Sequence, residues 1–441
     1  MICWEVSCMR DSRVLLKRVL SILEIVLITA VTAFLLGRAL TPVTYADYFN
    51  HEMDLLEESG EEIDLLFVGS SRIYNSIDTR IMEEELGLDN VVDASTASQT
   101  ISGSYYMIKD MIERLKPKKI ILGLTCDEMV DEEKAQAMLL VIDRLSLRNK
   151  LEMFRHCFYG SDLLYMLDLY RYRDNLDDIF ANIQARKELV ENDYVQEDDG
   201  VAYYCYKGFV YAHGSIKTGN VPMYTKLVFS EDAILDRNVE YLNKCIELCK
   251  ENGVELELFS APTTVMRMYY TDHYDEAVEY YQKVADENGL VYHNLNYLVD
   301  RETFLPDEMM CDYSHTNGEG AKLVSKLFAE ILKKEEAGED VSEYFYPTFE
   351  AFCESVHRIV AVDAKIRKEG DAYDLELRSL QNPGVKVLYQ VETENGEVLI
   401  PWTEETHHTI SKLTGQIKVV ARSGDDDLGR AYQVYDLSNY E

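Results

Sequence analysis

Three regimes of hydrophobic and polar patterning follow one another along the chain. Residues 19–36 form a mostly apolar run in which Glu24 is the one charge. A helix of that length approaches the thickness of a bilayer's hydrocarbon core. Residues 45–62 are acidic and amphipathic, which predicts a helix leading away from that run. Short apolar runs then alternate with stretches whose apolar positions recur at helical spacing. Residues 65–68 read as a buried strand. Asp78 can cap a helix over residues 79–86 that Gly87 ends, and residues 90–94 read as a second strand. A polar loop, residues 95–100, precedes a helix over 104–115, which Pro117 stops. Residues 119–124 form a third buried strand. The same rhythm returns with helices over 233–250, 274–287 and 318–334 and strands over 254–259 and 290–292. Strand–helix alternation with short connections predicts a doubly wound parallel α/β sheet.

Two stretches break that rhythm. Residues 128–230 are less regular, mostly helical at first, with aromatics crowded at 165–172 and 203–211. They read as an insertion that covers the active edge of the sheet. Residues 335–343 are charged and read as a linker. Beyond them come short alternating runs at 356–366, 373–377, 385–391, 397–401 and 416–421, with the hairpin signal Asn395-Gly396. These predict a small all-β sandwich of the immunoglobulin-like kind over residues 345–441.

Charge adds a side to the first run. Arg10, Arg13, Lys17 and Arg18 precede it and only Arg38 follows closely. The positive-inside rule then puts residues 1–18 in the cytoplasm and everything after about Thr41 outside, with the lipid bilayer as partner of residues 19–36. No good small-residue cleavage site follows the run, which favours an uncleaved anchor over a signal peptide. The 441 residues hold 80 Asp and Glu against 44 Lys and Arg, a net charge of -36. That excess argues against nucleic acid as a partner. Nine cysteines, odd in number and scattered, form neither a disulfide framework nor a zinc motif. Cys245 and Cys249, one helical turn apart, read as a shared buried face. His407-His408 reads as exposed turn chemistry. No metal-ligand spacing and no phosphate-cradling glycine loop calls for a cofactor.

The candidate chemistry sits at strand ends. Gly69 lets the backbone turn after residues 65–68, and Ser70, Ser71 and Arg72 follow. Ligand-touching groups in open α/β sheets lie beyond the carboxyl ends of strands, so Ser71 is a candidate nucleophile; the alternative is that Ser70 and Ser71 only cap a helix. Asp312 and His315, three residues apart before a helix, can pair so that one ring nitrogen is held and the other faces a hydroxyl. The alternative is a surface histidine and a loop-capping aspartate. Arg72 either clamps an anionic substrate or forms a structural ion pair. Tyr74 and Asn75 are candidates to line the pocket.

Gly69-Ser70-Ser71 and Asp312-Tyr313-Ser314-His315, with Asn317 and Gly320 after it, resemble the first and last blocks of the SGNH/GDSL hydrolase superfamily. The resemblance covers residues 63–332 and is to the membrane-anchored branch that moves acyl groups on cell-surface polymers. Examples are the serine protein of teichoic-acid D-alanylation and the alginate O-acetylation proteins. It implies a flavodoxin-like sheet over residues 41–334 and a triad of Ser71, His315 and Asp312. It also implies an oxyanion hole from the amides of Ser71 and Ser95. The third block departs from the pattern, because Leu124-Thr125-Cys126-Asp127 holds no asparagine. The implied function is an extracytoplasmic serine acyltransferase or esterase acting on cell-surface glycan or teichoic acid. A membrane-bound O-acyltransferase would be its partner and no cofactor is needed. The rivals are a carbohydrate acetylesterase and a non-catalytic scaffold of a glycan assembly.

Overall fold

The computed structural model describes residues 2–132, 134–216, 227–355, 359–381, 385–411, 415–423 and 431–440, with side chains from residue 18 onward except those of residues 227, 228, 270, 302, 303 and 307. Residues 133 and 217–226 of the expected insertion, and 356–358 of an expected strand, lie outside the described residues. The chain forms two compact units. Met1–His51 and Leu147–Gln196 make one; Glu52–Ser146 and Glu197–Glu441 make the other.

In the first unit the helix Ile2–Leu40 contains Arg18–Leu40, 23 residues long and apolar enough to cross a membrane. Its last turn has carbonyls with no intrahelical donor. Asn175 and Asn182 supply the missing donors, each from Nδ2 to the Leu40 carbonyl at 3.3 and 2.9 Å. Arg186 donates to the Thr41 carbonyl at 3.1 Å and pairs with Asp47 at 3.2 Å. The middle of the expected insertion, residues 147–196, therefore builds a unit with the N-terminal helix, from Leu147–Cys157 through Ile179–Glu191.

The second unit is built on five parallel strands, β1 (Leu65–Val68), β2 (Val91–Asp93), β3 (Lys119–Gly123), β4 (Glu255–Ser260) and β5 (Val291–Asn294). Their order is β2-β1-β3-β4-β5, every neighbouring pair parallel. This is the flavodoxin-like order, and its direction reverses between β1 and β3. One face packs on Gly318–Glu336 through Phe67, Phe259 and Phe328, with ring centroids 4.7 Å apart for the last two. The helices Ile101–Leu115 and Asp236–Asn252 bury Tyr106, Met107, Cys245 and Cys249. The helix expected from residue 104 starts at Ile101, because the Thr100 side chain accepts the Gly103 amide and caps it there.

A hairpin, Ala202–Tyr206 with Phe209–Ala212, stands beside β2. Its pattern of tyrosines shows no clean alternation. The Asp93 amide donates to the Lys207 carbonyl at 2.8 Å. Gly208 has φ +100°, and a Cβ there would meet the Asp93 carbonyl oxygen at 1.7 Å. Backbone on backbone cannot give way cheaply. Gly208→Ala is expected to destabilise the fold by about 3 kcal/mol, read as a lower urea midpoint; an unchanged midpoint would mean the hairpin can leave β2 without cost.

The C-terminal region holds seven antiparallel strands: β6 (Ile359–Glu369), β7 (Ala372–Gln381), β8 (Val387–Thr393), β9 (Val398–Thr403), β10 (His407–Ser411), β11 (Gln416–Ser423) and β12 (Ala431–Asp436). They form the sheets β6-β7-β10 and β9-β8-β11-β12 around one core, the expected sandwich. His407-His408 lies in strand β10, not in a turn: Ile410 is buried and anchors a strand whose other residues are polar. Of the expected linker at 335–343, residues 335 and 336 close the helix Gly318–Glu336 and 342 and 343 begin a short helical turn, and the residues that follow pack on the parallel-sheet region. The Tyr346 amide donates to the Tyr297 carbonyl at 2.7 Å, and Phe349 and Phe352 stack against Tyr297.

Candidate active site

The turn after β1 is set by two glycines and one isoleucine. A Cβ on Gly69 would lie 2.7 Å from Ile73 Cγ1, and one on Gly123 would lie 2.3 Å from Ile73 Cδ1. Ile73 thus lies across the carboxyl ends of β1 and β3, where the strand order reverses. Ser70 precedes the short helix Ser71–Tyr74, but its side chain makes no cap bond. Ser71 faces a histidine instead. Its Oγ is 2.7 Å from His315 Nε2. On the far side of the ring, Nδ1 is 2.8 and 3.0 Å from the two Asp312 oxygens. Asp312 Oδ1 also accepts the amides of Ser314 and His315, at 2.7 and 2.9 Å. That local turn is why a spacing of three residues brings carboxylate and ring together. Burial pushes the Asp312 carboxyl up, but its bonds to the His315 ring and to the two amides outweigh this and hold it below the ordinary value.

Thr316, which the motif reading passed over, ties the two halves of the constellation. It is fully buried, donates to the Asn75 carbonyl at 2.6 Å and meets Ser76 Oγ at 3.0 Å. The segment after the serine is thereby bonded to the residue after the histidine. Asn317 caps the final helix by accepting the Gly320 amide.

Ser95 is not available as an oxyanion donor. Its amide donates to Asp93 Oδ1 at 2.8 Å, and the residue is fully buried. Three residues on, Ser98 has φ +52° and lines the cavity with Ser71. A positive φ is a backbone shape that glycine supplies most readily. Residue type gives no signal for this conformation at Ser98, which the sequence reading did not single out. Tyr74 and Asn75 do not line the cavity; Asn75 is buried and donates to the Val210 carbonyl at 3.3 Å, holding the hairpin.

The cavity is about 320 Å³ and is lined mostly by polar and charged residue types, although much of the surface they present is the carbon of their side chains. Ser98, Gln99, Thr100, Thr125, Asp127, Glu128, Asp131, Glu132, Lys134, Asn238 and Arg267 surround the Ser71–His315 pair, with Ala137 and Tyr313. Arg72 is an ion-pair member: its Nη2 is 3.4 Å from Asp127 Oδ1, while Arg267 Nη2 is 3.2 Å from Asp127 Oδ2. Burial raises the Asp127 carboxyl, but the two guanidinium groups overcome this and lower it. Asn238 Nδ2 fixes the loop by donating to the carbonyls of Glu128, Met129 and Asp131. Arg267 and Asn238 lie far from both motifs in sequence, with no local pattern to mark them.

Glu128 is the titrating member of the wall. Burial, then the neighbouring Asp127 charge, pushes it up to about 8, against an ordinary value of 4.5. The folded state holds this proton in a range where the unfolded chain has released it. Its contribution to stability therefore falls as pH rises from about 4.5 to about 8. Glu128→Gln is expected to unfold at higher urea than wild type, with the gap growing from pH 5 to pH 8. A gap independent of pH would count against this assignment.

The sequence matches no family profile and no curated protein. Among solved structures, the chain is similar to a GDSL-like lipase from Bacteroides thetaiotaomicron, with 12% identity, a TM-score of 0.30 and coverage of 65% of this chain and 99% of that one. It is also similar to the psychrotrophic esterase EstA from Pseudoalteromonas sp., with 8% identity, a TM-score of 0.31 and coverage of 63% and 100%. A protein described as a lipolytic member of the G-D-S-L family from Desulfitobacterium hafniense gives 12%, 0.30, 61% and 99%. The fold is an α/β sheet of the flavodoxin-like order followed by an antiparallel sandwich, and the solved structures it resembles are lipolytic hydrolases and esterases.

Proposed function

We propose that the chain is a membrane-anchored serine esterase or O-acyltransferase that acts on short acyl esters of cell-surface glycans. The observation that carries this reading is the unbroken line of contacts Ser71 Oγ–His315 Nε2 at 2.7 Å and His315 Nδ1–Asp312 at 2.8 Å, opening on a polar cavity. His315 Nε2 takes the Ser71 proton as Oγ bonds to the acyl carbonyl carbon. Asp312 holds Nδ1–H and steadies the imidazolium. The oxyanion meets the amides of Ser71 and Ser98. The C–O bond to the leaving sugar breaks as that oxygen takes the proton from His315. A second hydroxyl, from an acceptor sugar or water, gives its proton to His315 as its oxygen attacks the acyl carbon, and the bond from that carbon to Ser71 Oγ then breaks as Oγ takes the proton back from His315.

The wall supports a short acyl group on a polyol. A long chain would need a deep apolar channel to lie in, and this cavity of about 320 Å³ is lined by few apolar residues, with hydroxyls, amides and charges placed among its carbon surface. With Glu128 neutral at pH 7, three cationic side chains face three anionic ones, counting Arg72, Arg267 and Lys134 against Asp127, Asp131 and Glu132. That balance favours a neutral sugar over the phosphate of a teichoic acid. The basic residues before the apolar run put the N-terminus in the cytoplasm and the cavity outside, where a membrane-bound O-acyltransferase could hand over the acyl group.

The test is turnover by the full chain in detergent micelles of aryl acetate against aryl decanoate, with and without a free sugar acceptor. Acetate is expected to exceed decanoate by about tenfold or more, with acetylated sugar formed when acceptor is present. Free acetate alone would make the protein an esterase. A decanoate preference would overturn the short-acyl reading, and no turnover of either ester would leave the scaffold.

A further inference from the structure

The unit formed by the N-terminal helix and residues 147–196 carries an apolar surface that the catalytic reading does not use. Phe180 is 86% exposed, Leu167 59% and Leu176 58%, and Leu163, Leu164, Met166 and Ile183 are also exposed. Clusters of that kind are rare on water-facing surfaces and mark contact with a partner or a membrane. We propose that residues 160–183 form a collar seated in the membrane interface around the Leu40 end of the anchor helix, with phospholipid headgroups and upper acyl chains as its partner. This rests on the reading of Arg18–Leu40 as a membrane span.

Depth follows from the packing. The 23-residue span is about 34 Å long, a little more than a hydrocarbon core of about 30 Å, so its final turn emerges at the interface. The collar grips that turn. A Cβ on Gly37 would lie 3.0 Å from the Leu169 nitrogen and 3.1 Å from Asp168 Cβ, so a larger residue there would push its neighbours back by a few tenths of an ångström and glycine suits the close approach. Asn175 and Asn182 bond the Leu40 carbonyl. Whatever surrounds Gly37 and Leu40 therefore also meets residues 168–182.

The chemistry suits that depth and no deeper one. Tyr165, Tyr170 and Tyr172 lie in the collar, with Arg173 over the Tyr170 ring at 4.3 Å and Arg171 over the Tyr172 ring at 4.9 Å. Tyrosine and arginine concentrate at the boundary between headgroups and acyl chains. Asp174, Asp177 and Asp178 are interleaved with the apolar residues, which excludes the hydrocarbon centre.

The experiment reconstitutes the full chain in phosphatidylcholine vesicles doped with a phospholipid whose acyl chain carries a diazirine near the headgroup. After irradiation, lipid adducts are mapped to peptides. Adducts are expected in residues 160–183 as well as in 19–36. In Leu167→Glu/Phe180→Glu, adducts in 160–183 should fall by about tenfold, while those in 19–36 and fluorophosphonate labelling of Ser71 stay as in wild type. Adducts confined to 19–36 overturn the collar and leave the anchor standing. Adducts in neither overturn the anchor and the collar together. Crosslinks from a photoreactive residue at position 180 to another protein chain, in place of lipid, assign the surface to a protein partner and overturn the proposal.

Discussion

Replacing Ser71 by alanine is expected to abolish covalent labelling by a fluorophosphonate and to lower turnover of an aryl acetate by about 10⁴-fold or more. The size of the effect follows from the geometry. Ser71 Oγ is the hydroxyl that His315 Nε2 reaches, at 2.7 Å. Ser70, its neighbour, also lines the cavity, but the hydroxyl that His315 meets is that of Ser71. Equal labelling of wild type and Ser71→Ala would remove the nucleophile, and with it the enzyme reading. The folded state is expected to be little changed, because the substitution removes one hydroxyl at a cavity wall. A matched urea midpoint separates a chemical loss from a folding loss.

Asp312→Asn carries the second large effect, a loss of about 10²–10⁴ in turnover with binding nearly unchanged. Asparagine keeps an oxygen for the Ser314 and His315 amides, so the local turn survives. What it loses is the charge that faces Nδ1–H and stabilises the imidazolium. Half the Asp312 side chain is exposed, at 49%, which places the loss below that of a fully enclosed carboxylate. The pH dependence has a definite sign. The folded-state value of Asp312 is depressed, so its bonds stabilise the native state above the unfolded value near 3.9 and are lost as pH falls through the lower folded value. Wild type should therefore lose stability on acidification in that window, and Asp312→Asn should lose less. An asparagine variant with wild-type turnover would reduce Asp312 to a loop cap.

The sheet was legible because β1 and β3 are short apolar runs closed by a glycine, and β4 and β5, though they carry Glu255, Glu257 and His293, each follow a helix that ends in glycine. Asp78, Gly87 and Gly253 did in the structure what their residue types suggest: the Asp78 side chain accepts the Arg80 amide, and both glycines end helices in the left-handed region. The pairing of Asp312 with His315 was readable from spacing, since a three-residue turn needs only local bonds. The pieces that escaped are those fixed by distant backbone. The hairpin at 202–212 is defined by where Gly208 touches Asp93, more than a hundred residues away. The choice between Ser95 and Ser98 turns on which amide Asp93 captures, and residue type says nothing about that because both are serines. Strand β10 has one apolar residue, Ile410, and is held by its neighbour β7, while β12 pairs with β11 along its whole length.

The two asparagines on the Leu40 carbonyl have a practical corollary. Shortening the chain at residue 44 to obtain a water-soluble protein would take away their acceptor and bare the bed in which Leu40 is fully buried. Such a trimmed protein would keep Ser71, Asp312 and His315 while displaying fresh oily surface. Clumping during purification would then report the missing helix end and not a fault in the α/β sheet. Retaining the segment through detergent extraction is the sounder preparation.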